Sequence, residues 1–265
     1  NKGKFDLRVY AMADGPLGAF EHLSKKGPLL NYGNKLTMRS VKMYMDGALG
    51  SRGAALLEDY SDDIGNQGLL LTQENYFREI VQKAVQAGIQ INTHAIGDRA
   101  NRIVLSVYEE AQALRSTQDL RNRVEHAQIV ALADVPRFAR SRIIASMQPT
   151  HATSDMPWAQ NRVGPERIKG GYVWQAMLNS GARLALGSDF PVEFVNPMLG
   201  FYAAITRQDA HGQPQGGWFP DQILSRTEAL RGFTLDAAYA AFQEKELGSL
   251  EVGKWADFVV LDRDI

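Results

Sequence analysis

Short β-rich runs alternate with longer stretches of helical spacing along most of this chain, and that alternation restricts the fold more than any other feature. A chain that switches repeatedly between strand and helix periods builds βα units, and such units pack as a parallel sheet covered by helices. Six units are readable. Their strands are expected at Leu7 to Ala13, Ser40 to Asp46, Ile89 to His94, Arg123 to Ala127, Ile143 to Gln148 and Arg183 to Ser188. Helices are expected from Thr72, as a cap, to Ala87, with Gly88 as the stop, and from Asp98 to Ala113. Shorter helices follow Leu132, Tyr172 and Pro197, and Thr227 to Phe242 reads as further helix. The last stretch breaks the pattern: it turns at Gly253 and reads as a strand from Asp257 to Leu261. Two segments, Ala152 to Gly171 and His211 to Pro220, read as loops long enough to lie over a site.

Such a sheet needs a core, and a 265-residue chain that is 45% apolar and 22% charged can supply one. Its 29 basic and 30 acidic residues leave a net charge of −1, with no basic stripe or acidic tail, which argues against nucleic acid and membrane surfaces as partners. The apolar runs are too short to cross a bilayer. The absence of cysteine excludes disulfides and thiolate sites, so any metal would be held by nitrogen and oxygen, and it is compatible with a reducing cytoplasm. The first residue is Asn rather than Met, which suggests a processed product or an excerpt of a longer chain.

Side chains alternate across a strand, so each candidate strand can be asked which residues look inward together. Lys42, Tyr44 and Asp46 oppose Val41, Met43 and Met45; Gln90, Asn92 and His94 oppose Ile89, Ile91 and Thr93; Arg183, Ala185, Gly187 and Asp189 oppose Leu184, Leu186 and Ser188. In a barrel the C-terminal strand ends meet at one mouth. His94, His126 and Asp189 each close a different strand, so two imidazoles and a carboxylate are expected to converge there, a donor set suited to zinc or a similar divalent ion. Singly, each histidine is more simply a hydrogen-bonded structural residue; at three corresponding positions they read as a site. Lys42, on an inner face, needs a partner or a shifted pKa, and an ion pair with Asp46 or Asp189 is the plain alternative to a catalytic role.

The segments VKMYMDGALGS, INTHAIGDRA, RVEHAQ, GSDFPVE and GSLEVGKWADFVVLD, in this order, resemble the motifs of the amidohydrolase superfamily, in the branch of N-substituted formamide deformylases and YtcJ-like proteins. The resemblance runs nearly end to end. It implies an α/β fold: a partial TIM-type (β/α) barrel, strands three to eight, over residues 1–245, and a segment of an accessory β-sandwich over residues 246–265. By motif, Lys42 corresponds to the often carbamylated lysine that bridges two metals, His94 and His126 to ligands of the second metal, and Asp189 to a ligand of the first. A desolvated amine can add carbon dioxide and become an anionic oxygen ligand, which would also resolve the puzzle of Lys42.

The reaction so implied is hydrolysis of carbon–nitrogen bonds other than peptide bonds, such as amides or N-formyl amines, by metal-activated water. Asp189 would serve as base and then acid, in a cytoplasmic enzyme with a small-molecule substrate; a homo-oligomer is left open. The loop bearing Asp46, Ser51 and Arg52, together with His151, is the expected substrate contact, the plainer reading being a structural turn and a solvated histidine. The His-x-His pair of the family's first strand is absent: none of His22, His94, His126, His151 and His211 lies two residues from another. The chain is therefore expected to be a fragment that lacks two βα units and part of the site, with two open sheet edges. Two rival readings are a catalytically degenerate or regulatory binding protein on the same barrel, and a metal-independent isomerase that uses His and Lys.

Overall fold

Strands that neighbour one another in sequence also neighbour one another in space. The computed structural model describes residues 7–15, 19–114 and 119–265. Its strands are β1 (Val9–Asp14), β2 (Leu29–Tyr32), β3 (Leu36–Tyr44), β4 (Gln90–Ala95), β5 (Arg123–His126), β6 (Ile144–Met147) and β7 (Leu184–Leu186). Six of them run parallel in the order β1-β3-β4-β5-β6-β7, and β2 pairs antiparallel with the start of β3. Among the described residues the sheet stays open, with β1 and β7 at its edges, as a partial barrel would.

Helices fill the crossovers, as parallel pairing requires. α1 (Ala19–Lys26) follows β1, α2 (Glu74–Gln86) follows β3, α3 (Asp98–Ala113) follows β4 and α4 (Val135–Arg140) follows β5. Three helices separate β6 from β7: α5 (Pro149–Asp155), α6 (Ala159–Arg167) and α7 (Trp174–Asn179). α8 (Pro197–Thr206), α9 (Arg226–Phe233) and α10 (Leu235–Ala240) complete the fold. α2 ends as expected, because Gly88 takes φ +68° just beyond it. Thr72 does not cap it: its hydroxyl donates to the carbonyl of Tyr44 at 2.5 Å, and the helix opens on Gln73.

Four expectations change. The hairpin partner β2 was not foreseen; it turns back through Asn31, Gly33 and Asn34, all at positive φ. The stretch 152–171 is mostly helical rather than a loop, and its helices are interrupted at Trp158 and at Gly164, whose φ of 77° kinks α6 before Pro165. The helix expected from Thr227 to Phe242 is two helices, broken at Thr234. Asp257 to Leu261 is not a strand but coil, with Val259 and Val260 80% and 84% exposed. Alternation makes a strand only where a neighbour completes the ladder, and the described residues show no accessory β-sandwich.

The two faces of the sheet differ. Val41, Met43, Met45, Ile91, Val124, Ala145, Met147 and Leu184 are buried on the outer face with the helices. Even the polar Thr93 there is satisfied, by the Tyr108 hydroxyl of α3 at 2.6 Å. The inner face is polar and bonds to itself. The Tyr10 hydroxyl donates to Gln90 Oε1 at 2.6 Å, Arg123 Nε donates to Glu125 at 2.6 Å, and Ser146 Oγ donates to the other Glu125 oxygen at 2.7 Å. Burial alone would raise the Glu125 pKa, but Arg123 outweighs it and holds the carboxyl at about 2. Gln90 also donates to the carbonyl of Ala240, at the end of α10. Among the described residues no helix is long and apolar enough to cross a membrane.

Candidate active site

The parallel register sets the height of each candidate side chain. Lys42 lies level with Asn92, Tyr44 with His94, and His94 with Glu125. His126 is level with Ala95, which is buried in the helix-side core, so simple alternation would turn the imidazole away from the mouth. Its backbone prevents this. His126 and Ala127 both adopt positive φ, 78° and 43°, where non-glycine residues are uncommon and strained. The twist brings the His126 ring to 4.6 Å from that of His94, edge to face.

Around these two rings the other strand ends close in. The His151 ring, at the start of α5, lies 5.8 Å from His126. Asp189, just past β7 and itself at φ 58°, brings Oδ2 to 3.7 Å from His151 Nε2 and 4.0 Å from His126 Nδ1. Ligand-capable atoms of His126, His151 and Asp189 all lie within 4.8 Å of one another. Three donors around a tetrahedral ion with bonds of roughly 2.1 Å would stand about 3.4 Å apart, so a small contraction would seat one.

The protonation states suit that use. Burial, followed by the proximity of His126 and Lys42, lowers the His94 pKa to about 3. Burial and Lys42 likewise lower His126 to about 4, against a hydrogen bond to Gln148. Both rings are therefore neutral near pH 7. Gln148 Oε1 sits 2.9 Å from His126 Nδ1 and fixes that ring. Nε2 of His94 and Nε2 of His151 are buried with no hydrogen-bond partner. Buried polar atoms are seldom left bare, and the bare His151 nitrogen beside the Asp189 carboxylate fits a divalent cation, whereas that of His94 stands 3.5 Å from the buried Asp46.

Lys42 reaches the same cleft, with Nζ 5.2 Å from the centre of the Tyr44 ring. Burial lowers its pKa, while Glu125 and Asp189 work in the opposite direction. His151, expected at the edge of the substrate, stands inside the cluster instead. Asp46 does not face the cleft. It is wholly buried and accepts from the backbone N–H groups of Ala55, Ile96 and Gly97 at 2.8–3.0 Å, with Oδ1 3.5 Å from His94 Nε2. Burial pushes its pKa up to about 7 against those three donors.

Because Asp46 folds the following loop back on itself, Ser51 and Arg52 swing outward. Ser51 donates to the carbonyl of Ala48, and Arg52 makes a two-pronged pair with Asp62 at 3.0 Å. The loop borders the cleft through Ala48, Leu49 and Gly50 instead. Trp158, between α5 and α6, forms the facing wall, so close that a Cβ on Gly50 would come within 3.3 Å of its ring. The stretch from His211 to Pro220 does not line the cleft. It packs elsewhere, Trp218 stacking on Tyr172 and on the buried Arg207. Gln148, Asp155 and Glu193 were not singled out from the sequence, although Gln148 continues the inner-face series Ile144, Ser146, as His94 continues Gln90, Asn92.

A family model described as the amidohydrolase family matches residues 2–265. The chain belongs to the amidohydrolase family. Within it, the chain is 39% identical over 238 residues to the protein LONG AFTER FAR-RED 3 of Arabidopsis thaliana, which spans 89% of this chain and 40% of that protein. The putative amidohydrolase YtcJ of Bacillus subtilis (strain 168) is 32% identical over 264 residues, 99% of this chain and 48% of its own length. The N-substituted formamide deformylase of Arthrobacter pascens is 32% identical over 191 residues, 70% of this chain and 34% of its own. A solved structure, an uncharacterized metal-dependent hydrolase from Pyrococcus horikoshii OT3, superposes with a TM-score of 0.87 at 31% identity, over 99% of this chain and 52% of that one. The chain thus spans about half the length, or less, of these amidohydrolase-family relatives.

Proposed function

We propose that this chain carries the strand-end face of a metal-dependent hydrolase that cleaves carbon–nitrogen bonds other than peptide bonds, in amides or N-formyl amines. The observation that carries the reading is the convergence of His94, His126, His151 and Asp189 with two imidazole nitrogens buried and unpartnered. Family membership and the name of the Arthrobacter relative support the bond type. The donor set, nitrogen and carboxylate oxygen without thiolate, favours zinc. His126, His151 and Asp189 would hold the ion, with His94 beside them and Lys42, if carbamylated, as a further oxygen ligand.

A divalent ion supplies a Lewis acid for the carbonyl oxygen and lowers the pKa of its water from about 16 toward 7. The chain's own residues do the rest. Asp189, 36% exposed at the side chain and on the cleft wall, accepts the proton of the attacking water and returns it to the leaving nitrogen. Gln148 holds His126 in one ring orientation throughout. Leu49, Ile96 and Trp158 exclude water from one side of a cleft of about 800 Å³.

Elemental analysis of the full-length protein, with a screen of N-formyl and N-acyl amines, tests this. Bound zinc or a similar ion, turnover of at least one such amide, and loss of both on chelation are expected. Full turnover after complete metal removal, or neither metal nor turnover, would overturn it.

A further inference from the structure

Apart from the ligand-capable cluster, the cleft has two kinds of wall. One is apolar: Leu49 and Ile96 are buried at its base, Trp158 is half-buried, and Tyr44, Met12 and Val192 sit on the rim, 44%, 38% and 71% exposed. The other is acidic. Asp14, Asp155 and Glu193 border the same opening in addition to Asp189, and among the described residues that line it Lys42 is the only lysine or arginine. Lys42 lies on the β3 floor, where the carboxylates of Glu125 and Asp189 outweigh Arg123 among its charged neighbours, and so offers little to an incoming anion. Arg162, the arginine behind Trp158, is bound to Asp62 and to the carbonyl of Gly50.

Glu193 is one of the acidic groups the hydrolytic scheme leaves unused, and it is held in place. Ser154 Oγ donates to Glu193 Oε1 at 2.9 Å and lies 3.2 Å from the carbonyl of His151. That tie fixes the carboxylate on the rim, one helical turn along α5 from a ligand-capable ring. Asp155, beside it, is turned inward and accepts from the Tyr172 hydroxyl at 2.6 Å and from Gln128.

The geometry points to Glu193 as a specificity determinant that admits substrates with an apolar, uncharged or cationic group next to the scissile bond and rejects those with a carboxylate there. This rests on the hydrolase reading for the position of the scissile bond, but the selection is a property of the cleft. An apolar substituent packs against Trp158, Leu49 and Ile96 and gains by leaving water. A carboxylate on the same substituent meets Glu193 at the rim, away from Lys42 on the floor and from the ion the cluster would hold, and specificity follows from the repulsion as much as from the contact.

The test is a pair of ligands that differ only by that carboxylate, N-formyl-2-phenylethylamine and N-formylphenylalanine, titrated calorimetrically into the full-length protein and its Glu193→Gln and Glu193→Arg variants. The carboxylate-free ligand is expected to bind the unaltered protein at least tenfold more tightly. The preference should shrink in Glu193→Gln, shrink further or invert in Glu193→Arg, and narrow at high salt as the rim charges are screened. Equal or tighter binding of the carboxylate ligand by the unaltered protein overturns the proposal. So does a preference that Glu193→Arg leaves unchanged, or binding of neither ligand. If the preference holds but neither formamide is hydrolysed, the hydrolase reading fails and the charge selection stands.

Discussion

Two polar layers lie on the inner face of this sheet, and they treat their hydrogen-bonding capacity in opposite ways. The lower layer starts at Tyr10 and Gln90, which bond to each other, and rises through Arg123 to Glu125 and Ser146, a second bonded group whose Glu125 is level with His94. At the rim, Nε2 of His94 and Nε2 of His151 are buried and bare. Bare groups also occur lower down: both polar atoms of Asn92, level with Arg123, and Ser40 Oγ, level with Gln90, have no partner. The difference teaches that a buried charge matched by its own chain is architecture, whereas a bare imidazole nitrogen next to a cleft carboxylate is free to take a ligand.

The largest expected effect separates the layers by function. Asp189→Asn should cut turnover by roughly a hundred- to ten-thousandfold, with the melting temperature nearly unchanged because the side chain is partly exposed; steady-state kinetics and a thermal melt check both. The next separates them by stability. Arg123→Met leaves the buried Glu125 charge with only Ser146 and the more distant Lys42 and should cost about 3–5 kcal/mol, whereas Arg123→Met with Glu125→Leu should recover most of that loss. Denaturant titrations of the two single variants and the double variant would reveal the coupling. If the double variant is no better than the singles, the lower layer is not a self-contained pair.

Gln148→Ala should weaken metal binding by roughly ten- to a hundredfold, the usual range for removing the partner of a ligating histidine, read by competition with a chromogenic chelator. A further effect is graded with pH. His94 and His126 are depressed from 6.5 to about 3 and about 4, so in metal-stripped protein their contribution is fully present above about 6.5 and is lost as pH falls toward those values. The slope is up to about 1.4 kcal/mol per pH unit for each ring. Glu125, depressed from 4.5 to about 2, adds its loss only below about 4.5. Acid should therefore weaken the rim before the lower layer, and a stability profile flat from pH 7 to 5 would contradict this.

Much of this was legible in the chain itself. The six parallel strands follow from alternation, and α3 spans the expected Asp98 to Ala113 because the helical period is uninterrupted there. His94 could be placed by counting along its strand. His126 could be placed at a strand end but not on a face, because its positive φ is set by the turn it enters rather than by its neighbours in sequence. Asp46 reads as a substrate contact because it opens the loop that runs to Arg52; its three backbone partners come from segments up to 51 residues away, which no local pattern reports. Tail residues 257–261 show the converse, a strand-like pattern without a neighbouring strand to pair with.

Asp46 has a mechanical consequence. One carboxylate fastens both the segment that leads to Leu49 and Gly50 and the turn directly behind His94. Wall and imidazole are therefore pinned to the same post. A molecule that pushes the loop aside on entering must also tug on the ring awaiting it, so the snugness of the fit is transmitted to the chemistry without any large movement of the fold.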